Sequence, residues 1–221
     1  MKTWLLFSMA EALANGTPWM GRYPTKKSKV GIVDYETGRS NVRRRLFMLR
    51  AGANPNLGVT SMTSMKPNQP EFWVKLAAYK FDIVFVDSLR RANSGGDEND
   101  SAEAIRPLEL AAEFAEATGC AVVYIHHARK EANDGWPEFR GSAAIEDQVD
   151  CAFVVRKADI TETKKTVEIK CVKPGDMITP EPFAAEVEFD DPRRLATVRV
   201  SKMAVAETAE KKMSNGEVDA A

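Results

Sequence analysis

The feature that most constrains the fold is a stretch near the middle of the chain, residues 81–89, which reads FDIVFVDSL. A nearly continuous apolar run is typical of a parallel strand covered by helices on both faces, and ligands gather beyond the carboxyl ends of such strands. Asp87 stands at that end. It is a candidate catalytic acid, although an Asp-Ser pair after a strand also commonly starts a turn or caps a helix.

The length and composition set the class of protein. The 221 residues are enough for one sizeable domain, and the 31 basic and 32 acidic residues nearly cancel, so attraction for nucleic acid must come from local patches. Apolar runs fall well short of the ~20 residues that span a bilayer, so we expect no membrane contact. The three cysteines lack metal-ligand spacing and are expected to be reduced thiols, which favours a cytoplasmic location.

Helix-like and strand-like segments alternate from residue 1 to about residue 150. Three of the strand-like segments end in side chains that could carry chemistry, namely Glu36, Asp87 and the pair His126 and His127. Parallel strands end at one edge of a sheet, so these groups are expected to lie close together. Taken singly, Glu36 could be a turn acid and either histidine a satisfied core residue, but the coincidence favours a functional edge.

The last third of the chain has a different pattern. From Cys151 onwards, four strand-like segments follow one another with short polar turns, which predicts an antiparallel meander that extends the sheet. Large apolar residues almost disappear near the C-terminus, so the end of the chain cannot bury enough surface to order itself. We therefore expect one domain over residues 1–203 and a disordered tail over residues 204–221. Earlier in the chain, Arg43–Arg45 are predicted to form the solvated face of a helix.

Five short segments resemble motifs of the RecA-like P-loop ATPases of the AAA_25 group, close to the plasmid RepA hexameric helicases and related to DnaB-type helicases. The resemblance spans about Lys2 to Phe189. Its segments are MKTWLL at residues 1–6, VDYE at 33–36, FVDSLRR at 85–91, YIHHARK at 124–130 and RGSAAI at 140–145. The first resembles the end of a Walker A loop and the third a Walker B strand, and the last two are the most distinctive.

The resemblance implies an α/β fold of the RecA-like P-loop NTPase type, with a mainly parallel sheet and an antiparallel C-terminal extension. It also implies ATP and Mg²⁺ as cofactors. Lys2 would contact the β- and γ-phosphates, and Thr3 and Asp87 would surround Mg²⁺. Phosphoryl transfer depends mostly on positioning and charge neutralisation, which is what these residue types supply.

Two further roles follow from the resemblance. Glu36 would orient the attacking water. His127 would sense the γ-phosphate and pass its state to the loop that follows, with His126 as the alternative because adjacent strand residues face opposite ways.

The loop after the two histidines combines bases with an aromatic residue, as single-strand binders do. The candidate DNA contacts are Arg129, Lys130, Trp136 and Arg140. An ordinary surface loop is the alternative. The resemblance implies that this region faces the channel of a homo-oligomeric, hexameric ring that has single-stranded DNA as its partner.

A residue that acts on the neighbouring subunit's nucleotide is also implied by a ring. Lys173 is the candidate, since it lies near a strand end where the family carries a Lys-x-Arg pattern, although Pro174 breaks that pattern.

The chain departs from the family at its start, because the glycine-rich arc and the strand that should precede Lys2 are missing. Either the chain is a fragment of a complete ATPase or it has lost hydrolysis, and the surviving Lys-Thr pair with its helix favours a fragment. The expected function is that of an ATP-hydrolysing motor domain of a ring-forming helicase or recombinase-like protein of DNA replication or repair, plasmid- or phage-type. The alternatives are a non-hydrolysing nucleotide-binding or regulatory protein of the same fold and, more remotely, an ATP-dependent regulator that never touches DNA.

Overall fold

The computed structural model describes residues 1–93, 101–127, 136, 143–190 and 195–201. Its helices are α1 (Lys2–Asn15), α2 (Arg39–Met48), α3 (Pro70–Ala77), α4 (Leu89–Ala92), α5 (Ser101–Thr118) and α6 (Ala143–Asp147). Its strands are β1 (Val30–Asp34), β2 (Leu57–Ser61), β3 (Ile83–Asp87), β4 (Ala121–Ile125), β5 (Ala152–Ile160), β6 (Lys164–Lys173), β7 (Phe183–Asp190) and β8 (Leu195–Ser201).

The first four strands form a parallel sheet in the order β2-β1-β3-β4. The register places Asp34 opposite Asp87, and Asp87 opposite Ile125. Three neighbouring strands therefore end at the same level, which confirms the predicted parallel sheet.

Helices cover this sheet on both faces. One face packs on α1 and α2 through a core that includes Phe7, Ile32 and Phe85. The other face packs on α3 and α5 through residues such as Trp73 and Phe114. Because both faces of β1 and β3 are buried, their sequences are continuous apolar runs with no alternation.

A pair of glycines shapes the outer strand β2 and its neighbour β1. Gly31 of β1 and Gly58 of β2 are register partners. A Cβ on either would lie within 2.9 Å of the Phe81 ring. The two glycines thus make room for this ring to lie across both strands.

The last four strands form a separate antiparallel sheet in the order β5-β6-β7-β8. The prediction of an extension to the parallel sheet is therefore wrong in this respect. Helix α1 explains the arrangement, because Leu5 packs on Val167 and Ile169 of the antiparallel sheet while Phe7, two residues later, belongs to the core on β1 and β3. One helix thus joins the two sheets through side chains on different faces.

The remaining expectations about the whole chain have mixed outcomes. No helix in the described part of the chain is both long and apolar enough to cross a membrane. The three cysteines are free thiols, two of them buried. The predicted domain boundary at residue 203 and the predicted tail over residues 204–221 lie outside the described residues.

Candidate active site

The ends of β1, β3 and β4 bring together most of the residues predicted to carry chemistry. Asp87 is the last residue of β3, and its backbone carbonyl accepts a 2.6 Å hydrogen bond from the Tyr35 N–H. Glu36 therefore lies one residue beyond a fixed contact between β1 and β3. His126 and His127 follow directly after β4. The predicted convergence of these groups at one edge of the sheet is present in the structure.

Asp34 holds the turn that carries Glu36. Its buried carboxylate accepts hydrogen bonds from the Thr37 N–H at 3.1 Å, the Thr37 hydroxyl at 2.9 Å, the Gly38 N–H at 2.9 Å and the Ser61 hydroxyl at 2.8 Å. Gly38 has φ 79°, a conformation that favours glycine. Sequence analysis assigned Asp34 no role, although aspartate side chains commonly accept hydrogen bonds from the backbone of the turn that follows them.

Asp87 is buried in a different way. Its side chain belongs to a residue only 1% exposed, and within the described residues its Oδ2 atom has no hydrogen-bond partner. Burial raises the pKa of Asp87, while a hydrogen bond from the Thr3 hydroxyl acts in the opposite direction. The carboxylates of Asp34 and Glu36 raise the pKa further, and Arg45 lowers it. The edge therefore contains a carboxylate with one unmet acceptor.

Glu36 is held between the segments that follow β3 and β4. Its Oε2 atom accepts a 3.0 Å hydrogen bond from the Ser88 hydroxyl and lies 3.7 Å from Arg91 Nε. Its Oε1 atom lies 3.9 Å from His127 Nε2. The carboxylate is partly exposed, so water can reach it.

The first turn of α1 completes the site. Lys2 Nζ donates a hydrogen bond to the His126 carbonyl oxygen, and the Thr3 hydroxyl contacts Asp87. Burial lowers the pKa of Lys2, and the nearby Asp87 carboxylate opposes that shift. The N-terminus of this 14-residue helix thus lies beside the edge, where its exposed N–H groups favour anions.

Arg45 of α2 also faces this edge, and the prediction of a solvated side chain is wrong for it. Arg43 and Arg44 are exposed, as predicted, but Arg45 is half-buried. Its Nη1 atom donates a 3.1 Å hydrogen bond to the Thr37 hydroxyl, and its guanidinium lies 5.9 Å from the centre of the Trp4 ring. Burial lowers the pKa of Arg45, and the Asp87 and Asp34 carboxylates oppose the shift.

A sequence signal for Arg45 existed. Val42, the buried residue of α2, lies three positions earlier, and residues three apart share a helix face. A run of three arginines hides this spacing, because it resembles a uniformly charged surface.

The residues present fit a magnesium ion. Asp87 Oδ2 is a buried oxygen without a partner in the described part of the chain, and the Thr3 hydroxyl is next to the same carboxylate. The described residues contain no cluster of three or more His, Cys, Asp or Glu that could hold a metal. This sparse oxygen set suits Mg²⁺, which is usually bound by one or two protein groups together with phosphates and waters.

The predicted DNA contacts fall largely outside this site. Arg129, Lys130 and Arg140 lie outside the described residues. The Trp136 ring packs against the antiparallel sheet, with the Arg156 guanidinium 4.1 Å and Lys170 Nζ 5.5 Å from its centre. The DNA-binding role of these four residues stays a prediction.

Lys173 lies at the end of β6. Its Nζ donates hydrogen bonds to the carbonyl oxygens of Glu146 at 2.8 Å and Asp147 at 3.4 Å. These contacts satisfy carbonyls at the C-terminal end of α6, where cations are favourable. The trans-acting role of Lys173 stays a prediction.

Comparison with known families adds to this geometry. A search of curated proteins found no match. Residues 1–133, more than half of the chain, match the AAA_25 family, which is described as an AAA domain. That range includes β1, β3, β4 and the first turn of α1, the elements that assemble the site. The chain therefore belongs to the AAA_25 family, whose AAA domain is of the ATPase type.

Proposed function

We propose that this chain is the ATP-binding and ATP-hydrolysing motor domain of a ring-forming DNA helicase or recombinase-like protein of replication or repair, plasmid- or phage-type. One observation supports the proposal best: Asp87 has an unpartnered buried oxygen in the described structure, directly beside a helix that begins with Lys-Thr. A buried carboxylate oxygen without a partner is unfavourable unless a ligand binds to it.

The phosphates of ATP would bind at the N-terminus of α1. Lys2 supplies a cation that is already partly desolvated, and the helix terminus supplies N–H donors. Phosphate oxygens would compete with the His126 carbonyl for Lys2 Nζ, so the end of β4 would register whether the nucleotide is present.

Asp87 and Thr3 would hold Mg²⁺. The ion supplies charge neutralisation on the transferred phosphoryl group. The protein contributes the two oxygens and their burial, which strengthens electrostatic contacts within the site.

Glu36 would orient the attacking water. The Ser88 hydroxyl fixes one carboxylate oxygen of Glu36, and the other oxygen faces His127 at 3.9 Å. A water held by this second oxygen would lie between Glu36 and His127, so His127 is placed to respond to the charge of the terminal phosphate. His126, whose carbonyl already binds Lys2, is the alternative sensor.

The partners in this proposal are single-stranded DNA and further copies of the chain, arranged as a hexameric ring. Arg129, Lys130 and Arg140 would contact DNA phosphates, and Trp136 would stack on a base. Because Arg156 covers the Trp136 ring, a base would have to replace that guanidinium. Lys173 is the candidate residue for contact with the nucleotide of a neighbouring subunit. It would have to give up its hydrogen bonds to α6 to make that contact.

The test of the ATPase measures Mg²⁺-dependent ATP binding and hydrolysis, with and without single-stranded DNA. It uses the 221-residue chain and a second version in which a strand and a glycine-rich loop precede Lys2. We expect binding by both and faster turnover by the second, because backbone N–H groups of such a loop cradle phosphates. Binding without turnover in both versions would favour the non-hydrolysing nucleotide-binding alternative.

The test of the DNA contacts is a salt titration of single-stranded DNA affinity. Replacing two of Arg129, Lys130 and Arg140 should flatten the slope of log K against log salt by about 1.4, since each phosphate contact contributes about 0.7. Trp136→Ala should weaken binding by roughly 1–3 kcal/mol and leave the slope unchanged. An identical slope after removal of the bases would exclude this loop as the DNA contact and favour the regulator that does not bind DNA.

A further inference from the structure

The loop between β6 and β7, residues 174–182, has an apolar tip. Ile178 is 95% exposed, and its neighbour Met177 is also exposed. Single apolar residues on a surface are common, but two consecutive large ones at the end of a hairpin form a projecting contact. We refer to residues 174–182 as the tip loop.

The tip loop begins a segment in which every charged residue is acidic. Residues 174–192 contain six acids and no base: Asp176, Glu181, Glu186, Glu188, Asp190 and Asp191. Glu186 and Glu188 form ion pairs within the antiparallel sheet. Asp176 and Glu181 are exposed, and no ion pair to either occurs among the described residues. The apolar tip is therefore flanked by two negative charges that are available to a partner.

A second region of the chain has the opposite charge. Residues 37–70 contain six bases and no acid: Arg39, Arg43, Arg44, Arg45, Arg50 and Lys66. This segment forms α2 and β2, and β2 is an outer strand of the parallel sheet. Arg45 is engaged at the candidate active site, but Arg43 and Arg50 are exposed.

A shallow, open depression of about 370 Å³, lined mainly by apolar side chains, lies within this basic region. Its lining includes Leu46 of α2, Leu57 and Val59 of β2, and the segment between them. Phe47, beside Leu46, is 66% exposed. We refer to this surface as the β2 groove. Arg43 lies three positions before Leu46 on the same face of α2, and Arg50, which follows the end of the helix, directly precedes Ala51 of the lining.

The tip loop and the β2 groove lie far apart within one chain. The tip loop leaves β7 at Phe183, whereas Phe189, six residues along the strand, packs edge-on against Trp4 at 5.2 Å. Arg45 of α2 lies over the same Trp4 ring. Six residues of strand span roughly 20 Å, so α2 belongs to the opposite end of the antiparallel sheet. The two surfaces can meet only between copies.

We propose that the tip loop of one copy docks into the β2 groove of a second copy. Ile178 enters the groove, while Asp176 and Glu181 face Arg43 and Arg50. The two surfaces differ, so the contact is heterologous and repeats head to tail into a ring or a filament. This inference rests on the ring assumed in the proposed function, and it assigns the surfaces that would build it.

The experiment is sedimentation velocity on the full chain and on two variants, Ile178→Asp and Phe47→Asp. Each variant should raise the dissociation constant of self-association about 30-fold or more, because each replaces an exposed apolar side chain at or beside the contact with a charge. The matched control is Val74→Asp on α3, which is 72% exposed and outside both surfaces, and it should leave association unchanged.

Mixing the two variants tests the head-to-tail geometry. Ile178→Asp retains an intact β2 groove and Phe47→Asp retains an intact tip loop, so the mixture should form a 1:1 heterodimer although each variant alone is monomeric. In addition, Glu181→Arg and Arg50→Glu should each weaken association, and a mixture of these two chains should recover it, because one of its contacts regains opposite charges.

Three outcomes would overturn the inference: a wild type that stays monomeric up to its highest soluble concentration, association that survives both apolar replacements, or a mixture that gives no heterodimer. Loss of single-stranded DNA affinity in Arg50→Glu with unchanged association would instead identify the basic region as a nucleic-acid surface. ATP binding is measured on the same samples. Heterodimer formation without ATP binding would refute the proposed function alone, and ATP binding without heterodimer formation would refute this inference alone.

Discussion

Among the described residues, each of the two sheets buries two carboxylates, and one of these four has an oxygen without a hydrogen-bond partner. In the antiparallel sheet, Glu168 lies 2.6 Å from Arg156 Nε on the neighbouring strand. Glu186 lies 2.5 Å from Lys164 Nζ and 3.9 Å from Arg199 Nε. Both glutamates thus have cationic partners on adjacent strands, where antiparallel register places side chains next to each other.

The parallel sheet treats its two carboxylates differently. Asp34 has four hydrogen bonds from its own turn and from Ser61, so its burial is fully compensated. Asp87, its register partner, keeps one oxygen unpartnered among the described residues. Burial of a charge therefore does not by itself mark a functional site. A buried charge that lacks a hydrogen-bond partner does mark a site, because this unfavourable burial persists only where a ligand or a reaction uses the charge.

The largest expected effect concerns the edge of the parallel sheet. Glu36→Gln should reduce ATP turnover by several orders of magnitude with little change in ATP affinity, because orientation of water acts mainly in the transition state. Single-turnover hydrolysis and equilibrium binding of ATP measure the two quantities. Glu11→Gln, on a partly buried position in the second half of α1, is the control. Unchanged turnover would remove Glu36 from its proposed role.

The next effect concerns the antiparallel sheet. Glu168→Ala should lower the free energy of unfolding by about 3 kcal/mol, since it removes the buried carboxylate that pairs with the Arg156 guanidinium. Urea denaturation measures it. Glu188→Ala, which removes a half-exposed member of the Arg199 pair, should cost less than about 1 kcal/mol. Equal losses for the two variants would contradict the idea that this sheet compensates its buried charges.

Arg45 offers a smaller effect at the functional edge. Arg45→Gln should weaken ATP binding by about 2 kcal/mol, the scale of a hydrogen bond that involves a charged group, because it removes a cation that faces Asp34 and Asp87. Isothermal titration with ATP and Mg²⁺ measures it. Arg44→Gln, one residue earlier and exposed, should bind ATP as the wild type does. If the two variants behave alike, Arg45 acts only through packing.

The smallest effect is a gain in stability. Asp87→Asn should raise the free energy of unfolding by about 1 kcal/mol at neutral pH, because it removes an incompletely compensated buried charge. The folded state raises the pKa of Asp87, so the wild type is stabilised as the pH falls through that pKa. The advantage of Asn should therefore shrink at acidic pH. Asp34→Asn, which disrupts four hydrogen bonds, should instead destabilise the protein. A gain in stability for Asp34→Asn would contradict the proposed difference between the two aspartates.

Local patterns predicted much of the architecture. The apolar runs of β1, β3 and β4 depend on neighbours in sequence, and the structure confirms these strands. The strands β5 and β6 also contain charged residues such as Arg156 and Glu168. These charges are explained by cross-strand pairing, which the sequence alone does not show.

Long-range relations could not be predicted in the same way. A meander pattern shows that strands pair with one another, but it does not show whether they join an existing sheet. The contact of Thr3 with Asp87 joins residues 84 positions apart, and only the family resemblance anticipated it. The inward position of Arg45 depends on how α2 is rotated, which the hydrogen bond to Thr37 fixes.

The position of Trp4 has a spectroscopic consequence. This indole lies two residues from Lys2, with the Phe189 ring 5.2 Å away on one side and the Arg45 guanidinium 5.9 Å from its centre. Indole emission responds to nearby charge and polarity, and Arg45 is the cation that faces the aspartates. Trp4 is one of four tryptophans in the chain. Because it lies at the junction of the two sheets, its contribution to the emission can follow, without any label, events that occur at the start of α1.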